Sequence, residues 1–109
     1  MNTFDEREKG FERKFAHDAE MQFKAEARRN KLLGLWAAGK MGISNPAEAM
    51  AYAQEVVAAD FEEAGDEDVF RKVWGDFQAR ATEATETEVR NQMASFMSEA
   101  KAQLMNETG

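Results

Sequence analysis

A chain of 109 residues is enough for one domain with a modest core and leaves no room for a second. Its 21 acidic and 14 basic side chains give a net charge of −7, which argues against nucleic-acid binding because phosphate affinity comes from Lys and Arg. The absence of cysteine excludes disulfides, a thiolate nucleophile and sulfur-ligated zinc. No signal-peptide run and no apolar stretch near the ~20 residues of a membrane span occur, so we expect a cytoplasmic protein without membrane insertion.

The N-terminal segment, residues 1–17, carries a row of phenylalanines in otherwise charged sequence. Phe4, Phe11 and Phe15 fall on one narrow stripe of a helix, while eight of the first fifteen side chains are charged, four of each sign. Gly10 disfavours an isolated helix by ~1 kcal/mol relative to alanine. We therefore expect this segment to be mostly disordered when free and helical when bound in a groove on another protein. The alternative is the frayed start of the first helix.

Four helices are predicted after residue 17. The first runs from Ala19 to Met41, with Asp18 as N-cap, and stops at Gly42. The second runs from Pro46, capped by Asn45, to about Ala64, where Gly65 ends it. The third runs from Glu67, capped by Asp66, to Ala81, and the fourth follows a Thr85–Glu88 capping box and ends near Asn106. Short connections favour antiparallel neighbours. The predicted fold class is all-α: an antiparallel four-helix bundle over residues 18–109, preceded by a flexible, partly helical N-terminal segment.

Apolar residues at helical spacing predict which faces of the later helices point inward. The predicted faces are Met50, Ala53, Val57 and Phe61 in the second helix, Val69, Phe70, Val73, Trp74 and Phe77 in the third, and Val89, Met93, Phe96, Met97, Ala100 and Leu104 in the fourth. The methionines of the fourth helix are interpreted as core filler.

The first helix combines a basic face with an apolar end. The basic residues are Lys24, Arg28, Arg29 and Lys31, and the apolar ones are Leu32, Leu33, Leu35 and Trp36. The ordinary interpretation is a solvated face beside a core-facing end, with Trp36 in the core. The alternative is a phosphate or weak nucleotide site, in which the arginines take the phosphates and Trp36 stacks on the base.

Catalytic and metal-binding patterns are not found. His17 is the only histidine, which leaves no histidine pair for zinc and makes a surface or capping role the favoured interpretation. The acidic residues between 60 and 68 lack the ligand spacing of an EF-hand and are read as a solvated corner. We therefore expect a protein that is not an enzyme and that has no catalytic residues, no metal site and no cofactor.

Three stretches resemble one known family: TFDEREKGFERKFAHD, FKAEARRNKLLGLWAA and YAQEVVAADFEEAGDEDVFRKV. They are similar to the zeta inhibitor subunits of the F-type ATP synthase of alpha-proteobacteria. The resemblance covers residues 3–73, and beyond Val73 the chain, including Trp74 and the Met-rich last helix, departs from the pattern. It implies a four-helix bundle with an inhibitory N-terminal segment.

The resemblance also implies a target and a mechanism. The N-terminal segment would enter a catalytic interface between the alpha and beta subunits of the ATPase head, with gamma as a further candidate partner. There it would fold into a helix and block ATP hydrolysis while permitting synthesis, which places the protein in the cytoplasm, peripheral to the inner membrane through the ATP synthase.

The implied partner-binding residues are of two kinds. Phe4, Phe11 and Phe15 would be apolar anchors, and Asp5, Arg7, Glu8, Lys9, Glu12, Arg13 and Lys14 would form charge pairs that fix the register. A buried aromatic side chain contributes roughly 1.5 to 3 kcal/mol and an exposed ion pair ~0 to 1, so the phenylalanines should dominate affinity. Residues 46–109 carry a net charge of −9 and residues 1–45 a net charge of +2. The bundle is expected to stay outside the head and to limit insertion.

Overall fold

The computed structural model describes residues 18–60 and 66–108, and the expectations for residues 1–17, Phe61, Ala64 and Gly65 lie outside these ranges. The described ranges contain four helices: α1 (Ala19–Lys40), α2 (Pro46–Ala59), α3 (Glu67–Ala79) and α4 (Glu86–Thr108). They contain no strand. The all-α, four-helix fold class is confirmed, and none of these helices is both long and apolar enough to cross a membrane.

The predicted starts of α1 and α2 are confirmed, and α1 ends at Lys40, one residue before the predicted Met41. The Asp18 carboxylate accepts hydrogen bonds at 3.0 and 3.1 Å from the N–H groups of the second and third residues of α1. The Asn45 side chain does the same at 2.9 and 3.1 Å for α2, where Pro46 takes the first position. Gly42, with φ of 83°, supplies the left-handed residue that ends α1. These ends form as expected because each depends on local chemistry.

Two other predicted caps form only in part. Asp66 precedes α3, but its carboxylate makes no cap hydrogen bond and contacts Arg29 instead. Thr85 Oγ1 accepts the N–H of Glu88 at 3.1 Å, whereas the Glu88 carboxylate binds Lys40 Nζ at 2.9 Å. In both places a cation from α1 has taken a carboxylate that the sequence pattern assigned to a helix start, because in this contact both partners are charged, whereas at a cap only the acceptor is.

Two later helices, α2 and α3, also end earlier than predicted. The last residue of α2 is Ala59, and Asp60 is its C-cap. The last residue of α3 is Ala79 rather than Ala81, because Ala81 itself adopts a left-handed conformation with φ of 51°. The following N–H, of Thr82, donates to a carbonyl inside α3 at 2.8 Å, which is the hydrogen bond that closes a Schellman motif.

Helix packing brings distant parts of the chain together. Arg28 near the start of α1 contacts Glu107 near the end of α4, while Lys40 contacts Glu88 at the start of α4, so these two helices are antiparallel. Helix α2 packs most extensively on α1. Gly34 permits this approach, since a Cβ atom there would lie 2.5 Å from a backbone atom of α2.

The main core lies between all four helices. Its buried residues are Leu33, Ala37, Ala38, Tyr52, Val56, Val69, Phe70, Val73, Phe77, Val89 and Met93. Trp36 packs against this cluster with its ring 5.8 Å from that of Phe77, which confirms its predicted core position. A smaller cluster of Met21, Ala25 and Leu104 continues the apolar contact of α1 with α4.

The inward faces of α3 and α4 agree with the prediction, and that of α2 is corrected. Trp74, Phe96 and Met97 are half-buried and the other predicted residues of α3 and α4 are buried. In α2, Ala53 is buried as predicted, but Met50 is 37% exposed and Val57 is only half-buried, while Tyr52 and Val56 take core positions. The alanine-rich sequence of α2 leaves its rotation open, and the close contact with Gly34 sets it.

Candidate functional site

The predicted partner-binding residues lie outside the described ranges. They are Phe4, Asp5, Arg7, Glu8, Lys9, Phe11, Glu12, Arg13, Lys14 and Phe15, all of them before the N-cap of α1. The described residues fix where their segment is attached, because Asp18 begins α1 with a filled cap. The division of the chain into a segment of residues 1–17 and a bundle stays a prediction.

The four basic residues of α1 point in two directions. Arg29 faces inward and is only 1% exposed. Its Nη2 lies 2.9 Å from Asp66 Oδ1, and its Nε donates to Asn30 Oδ1 at 2.6 Å. A buried guanidinium needs this pairing, since an unpaired charge away from water is costly. Arg29 thus ties α1 to the residue that precedes α3.

Sequence reasoning missed this inward role of Arg29, although a signal for it exists. Ala25 and Leu33, four residues before and after it, are both buried, so Arg29 belongs to the core face by helical period. Its charge placed it with the basic residues instead. In α-helices a long cationic side chain on an apolar face has to find a buried or bordering carboxylate, and here Asp66 supplies one.

The other three basic residues line one groove of about 550 Å³, here called the α1/α4 groove. Lys24, Arg28 and Lys31 form its basic edge. The remaining lining residues are Met21, Phe23, Ala27, Val57, Leu104 and Glu107. The groove therefore has an apolar floor and a cationic edge, contributed mainly by α1 and closed by the ends of α2 and α4.

The charges in the α1/α4 groove are partly balanced within the chain. Lys24 Nζ lies 3.2 Å from the carboxylate of Glu20, and both side chains are well exposed. The Arg28 guanidinium makes two hydrogen bonds to Glu107, one of them at 3.1 Å, and a longer one of 3.4 Å to Gln103. The hydrogen bonds from Arg28 lower the pKa of the Glu107 carboxyl. Because these pairs are solvent-exposed, they hold the groove together only weakly.

A buried polar cluster lies behind Arg29. Asn30 is fully buried and Asp68 is 3% exposed. Burial raises the pKa of the Asp60 carboxyl. The Asn30 amide and the Arg29 charge favour the ionised carboxylate and offset this rise only in part. Asp60 and Asp68, at the two ends of the α2–α3 connection, thus lie near Arg29 and Asn30 of α1.

A second polar network joins α2 to α3. The Tyr52 hydroxyl donates to Asp76 Oδ2 at 2.8 Å, and Lys72 Nζ lies 2.9 Å from the same oxygen. Burial, together with the hydrogen bond to Asp76, raises the pKa of Tyr52, so the phenol stays protonated and remains a donor. Burial opposes the charge of Lys72, yet Asp76 and Glu55 raise its pKa overall. The network is a structural clamp between two helices.

Arg90 of α4 makes the best-formed exposed ion pair of the described residues. Its guanidinium binds both carboxylate oxygens of Glu67 at 2.7 and 3.1 Å and lies 3.8 Å from the centre of the Phe70 ring. The pairing lowers the pKa of Glu67. Within residues 18–60 and 66–108, no group of three His, Asp or Glu side chains is placed to hold a metal ion.

The fold and surface define a class: a small all-helical protein whose charged, groove-bearing surface suits binding to other proteins. The sequence model of the family described as ATPase inhibitor subunit zeta matches residues 1–103, and the chain belongs to this family. A search of curated proteins found no match. A structure solved by solution NMR is 61% identical, with a TM-score of 0.71, and the alignment covers 80% of this chain and 98% of that one.

The family match covers more of the chain than the resemblance of the three sequence stretches. The resemblance ended at Val73, whereas the matched range continues to residue 103 and so includes Trp74 and most of α4. The expectation that this part departs from the family pattern is therefore corrected. Trp74 and the α4 methionines contact the core, where volume and apolarity matter more than residue identity.

Proposed function

We propose that this protein inhibits ATP hydrolysis by an F-type ATP synthase through its N-terminal segment, which enters an alpha/beta catalytic interface of the head as a helix. One observation carries the proposal: the inhibitor family model matches from residue 1, so the segment ahead of α1 lies within the range matched to the family. In the proposal the segment precedes Asp18, the N-cap of α1, so that it can bind the head while the bundle keeps its own fold.

In this proposal the three phenylalanines of the segment anchor it in the interface. Burial of one aromatic side chain contributes roughly 1.5 to 3 kcal/mol, more than an exposed ion pair. The charged residues between them align the helix with its groove through pairs of both signs. The alpha and beta subunits are the principal partners, and gamma is contacted if the helix reaches the centre of the head.

The bundle stays outside the head and limits insertion. Leu33, Val56 and Phe77 are fully buried between the described helices. The bundle therefore does not have to unfold for the protein to bind its partner. The protein is consequently associated with the inner membrane only through the enzyme it inhibits.

The experiment is a hydrolysis assay with purified ATPase head from an alpha-proteobacterium. The full-length parent is compared with a Phe4→Ala, Phe11→Ala, Phe15→Ala triple variant, and with Met50→Ala as a control that removes an exposed apolar side chain from the bundle. We expect the parent and the control to inhibit equally and the triple variant to lose inhibition. A folded triple variant that inhibits like the parent would contradict the proposal.

A second candidate function is binding of a phosphate or nucleotide ligand at the basic residues of α1. The observation in its favour is that Lys24, Arg28 and Lys31 share the α1/α4 groove. Arg29 belongs to the buried pair with Asp66, and Trp36 packs on Phe77, so neither the second arginine nor the stacking ring adjoins these cations. Titration with ATP tests it: saturable amide shifts around Lys24 to Lys31 support a ligand site, and their absence removes it.

A further inference from the structure

The α1/α4 groove carries the most exposed large apolar side chain of the described residues. Phe23 is 53% exposed at its mouth, while Met21 and Leu104 beneath it are 6% and 4% exposed. Apolar surface of this kind beside a polar rim is typical of a protein-binding site. The site stands at the start of α1, the end of the bundle from which the N-terminal segment departs.

The cations of the groove are arranged in a row. Lys24, Arg28 and Lys31 stand at positions i, i+4 and i+7 of one helix, which places them on one face over about 10 Å. Their carboxylate neighbours within the chain are exposed: the side chains of Glu20 and Glu107 are 77% and 54% accessible. Pairs this exposed contribute little to stability, so a partner's carboxylates can replace them at small cost.

We propose that the α1/α4 groove is a second docking surface, which receives an acidic amphipathic helix on a subunit of the ATPase head. This proposal rests on the proposed function. The partner's apolar side would pack on Phe23, Ala27 and Val57, and its carboxylates, spaced by one helical turn, would face the basic row. Residues 1–45, which include α1, carry a net charge of +2 in a molecule of −7, so an acidic partner is attracted to the α1 side of the groove and repelled by the rest.

Charge complementarity also selects this occupant over two others. A symmetric contact with a second copy would set one basic row against the other, since a two-fold interface pairs the same surface with itself. The N-terminal segment of the same chain offers four acidic and four basic residues in positions 1–15 and hence no acidic excess. A foreign helix with carboxylates on one side satisfies both the apolar floor and the cationic edge.

The test measures binding of full-length variants to the purified head at 50 and 200 mM salt. Lys24→Glu with Lys31→Glu makes the row acidic at both ends and leaves Arg28 in its contacts. The control, called the α3 variant, combines Arg71→Glu in α3 with Arg80→Glu at its C-cap and makes the same change in net charge. We expect the groove variant to bind at least tenfold more weakly at low salt and to lose most of its salt dependence. The α3 variant should stay within twofold of the parent.

A third variant separates the apolar contribution from the charged one. Phe23→Ala should weaken binding several-fold and leave the salt dependence as it is in the parent. Circular dichroism confirms that every variant remains folded.

Several outcomes overturn the proposal. If the parent binds and inhibits, and the groove and α3 variants behave alike, this proposal fails alone. If the parent does not bind the head, it fails together with the proposed function. Concentration-dependent dimers that vanish in the groove variant would assign the groove to a second copy. Shifts of the Phe23 and Lys31 amides in the free phenylalanine-to-alanine triple variant would assign it to the N-terminal segment.

Discussion

Gly34 is the residue at which α1 and α2 come closest. A Cβ atom there would lie 2.5 Å from the Ala53 Cα and 3.0 Å from its Cβ, while Gly75 in α3 has nothing within 4 Å of such an atom. Gly34→Ala should therefore separate the helices and destabilise the fold by about 1 to 3 kcal/mol. Gly75→Ala should stabilise it by about 0.5 to 1 kcal/mol, since a helical alanine loses less entropy than glycine. Urea denaturation measures both, and equal effects would contradict the packing at Gly34.

The contact between Arg29 and Asp66 involves a buried charge, because the Arg29 side chain is almost inaccessible to solvent. Asp66→Asn leaves the guanidinium, 1% exposed, without its carboxylate, and should cost about 1.5 to 3 kcal/mol. Glu67→Gln is the matched control, because it breaks a bidentate pair with Arg90 that is exposed on both sides. We expect its unfolding midpoint in urea to stay near that of the parent. If both substitutions lower the midpoint equally, the burial of Arg29 is not the reason why Asp66→Asn destabilises the protein.

At the scale of single helices, α2 depends on its start. Asn45 accepts two backbone N–H groups and Pro46 fixes the first helical position, while the rest of the helix is rich in alanine and weakly amphipathic. Asn45→Ala should cost about 1 kcal/mol, and Asn45→Asp should cost little because aspartate also caps. Thermal unfolding followed by circular dichroism compares the two. If neither substitution lowers the unfolding temperature, the cap does not stabilise α2 and its packing on α1 is sufficient.

At the scale of the whole molecule, stability in acid depends on carboxyl groups whose pKa values are shifted in opposite directions. The pKa of Glu107 is lowered by Arg28, so its stabilising effect is present above the pKa of an unfolded glutamate and is lost as pH falls through the lowered folded value. The pKa of Asp60 is raised by burial, so the cost of its charge is present at neutral pH and disappears below the pKa of an unfolded aspartate.

Substitution at these two carboxyls should therefore act in opposite directions. Asp60→Asn removes a charge from the negative end of α2 and should stabilise the protein at pH 7 by a few tenths to about 1 kcal/mol. Glu107→Gln should destabilise it at pH 7. The effect of Asp60→Asn should disappear near pH 3, below the pKa of an unfolded aspartate of about 3.9, whereas the effect of Glu107→Gln should fade only as pH falls through the lowered pKa of the folded state. Urea midpoints across this pH range give the result, and a stabilisation by Asp60→Asn that persisted at pH 3 would rule out the charge as its cause.

The amino-acid sequence contained most of the secondary structure and the inward faces of α3 and α4. Helix starts at Asp18 and Asn45 and the stop at Gly42 follow from atoms within a few residues of one another, so local chemistry specifies them. The residues proposed to bind the ATPase came from the family resemblance, and they precede the described part of the chain. Their placement stays a prediction.

Packing across the chain decided the features that local patterns left open. The rotation of α2 was mispredicted because its alanines allow several faces, and the contact at Gly34 chose one. Arg29 was read as a surface cation because its partner, Asp66, lies 37 residues away. Periodicity gives the direction of a side chain from its own helix, but not the carboxylate that makes burial of a charge tolerable. For the same reason, only the assembled helices showed that Lys24, Arg28 and Lys31 share a groove with Phe23 and Leu104.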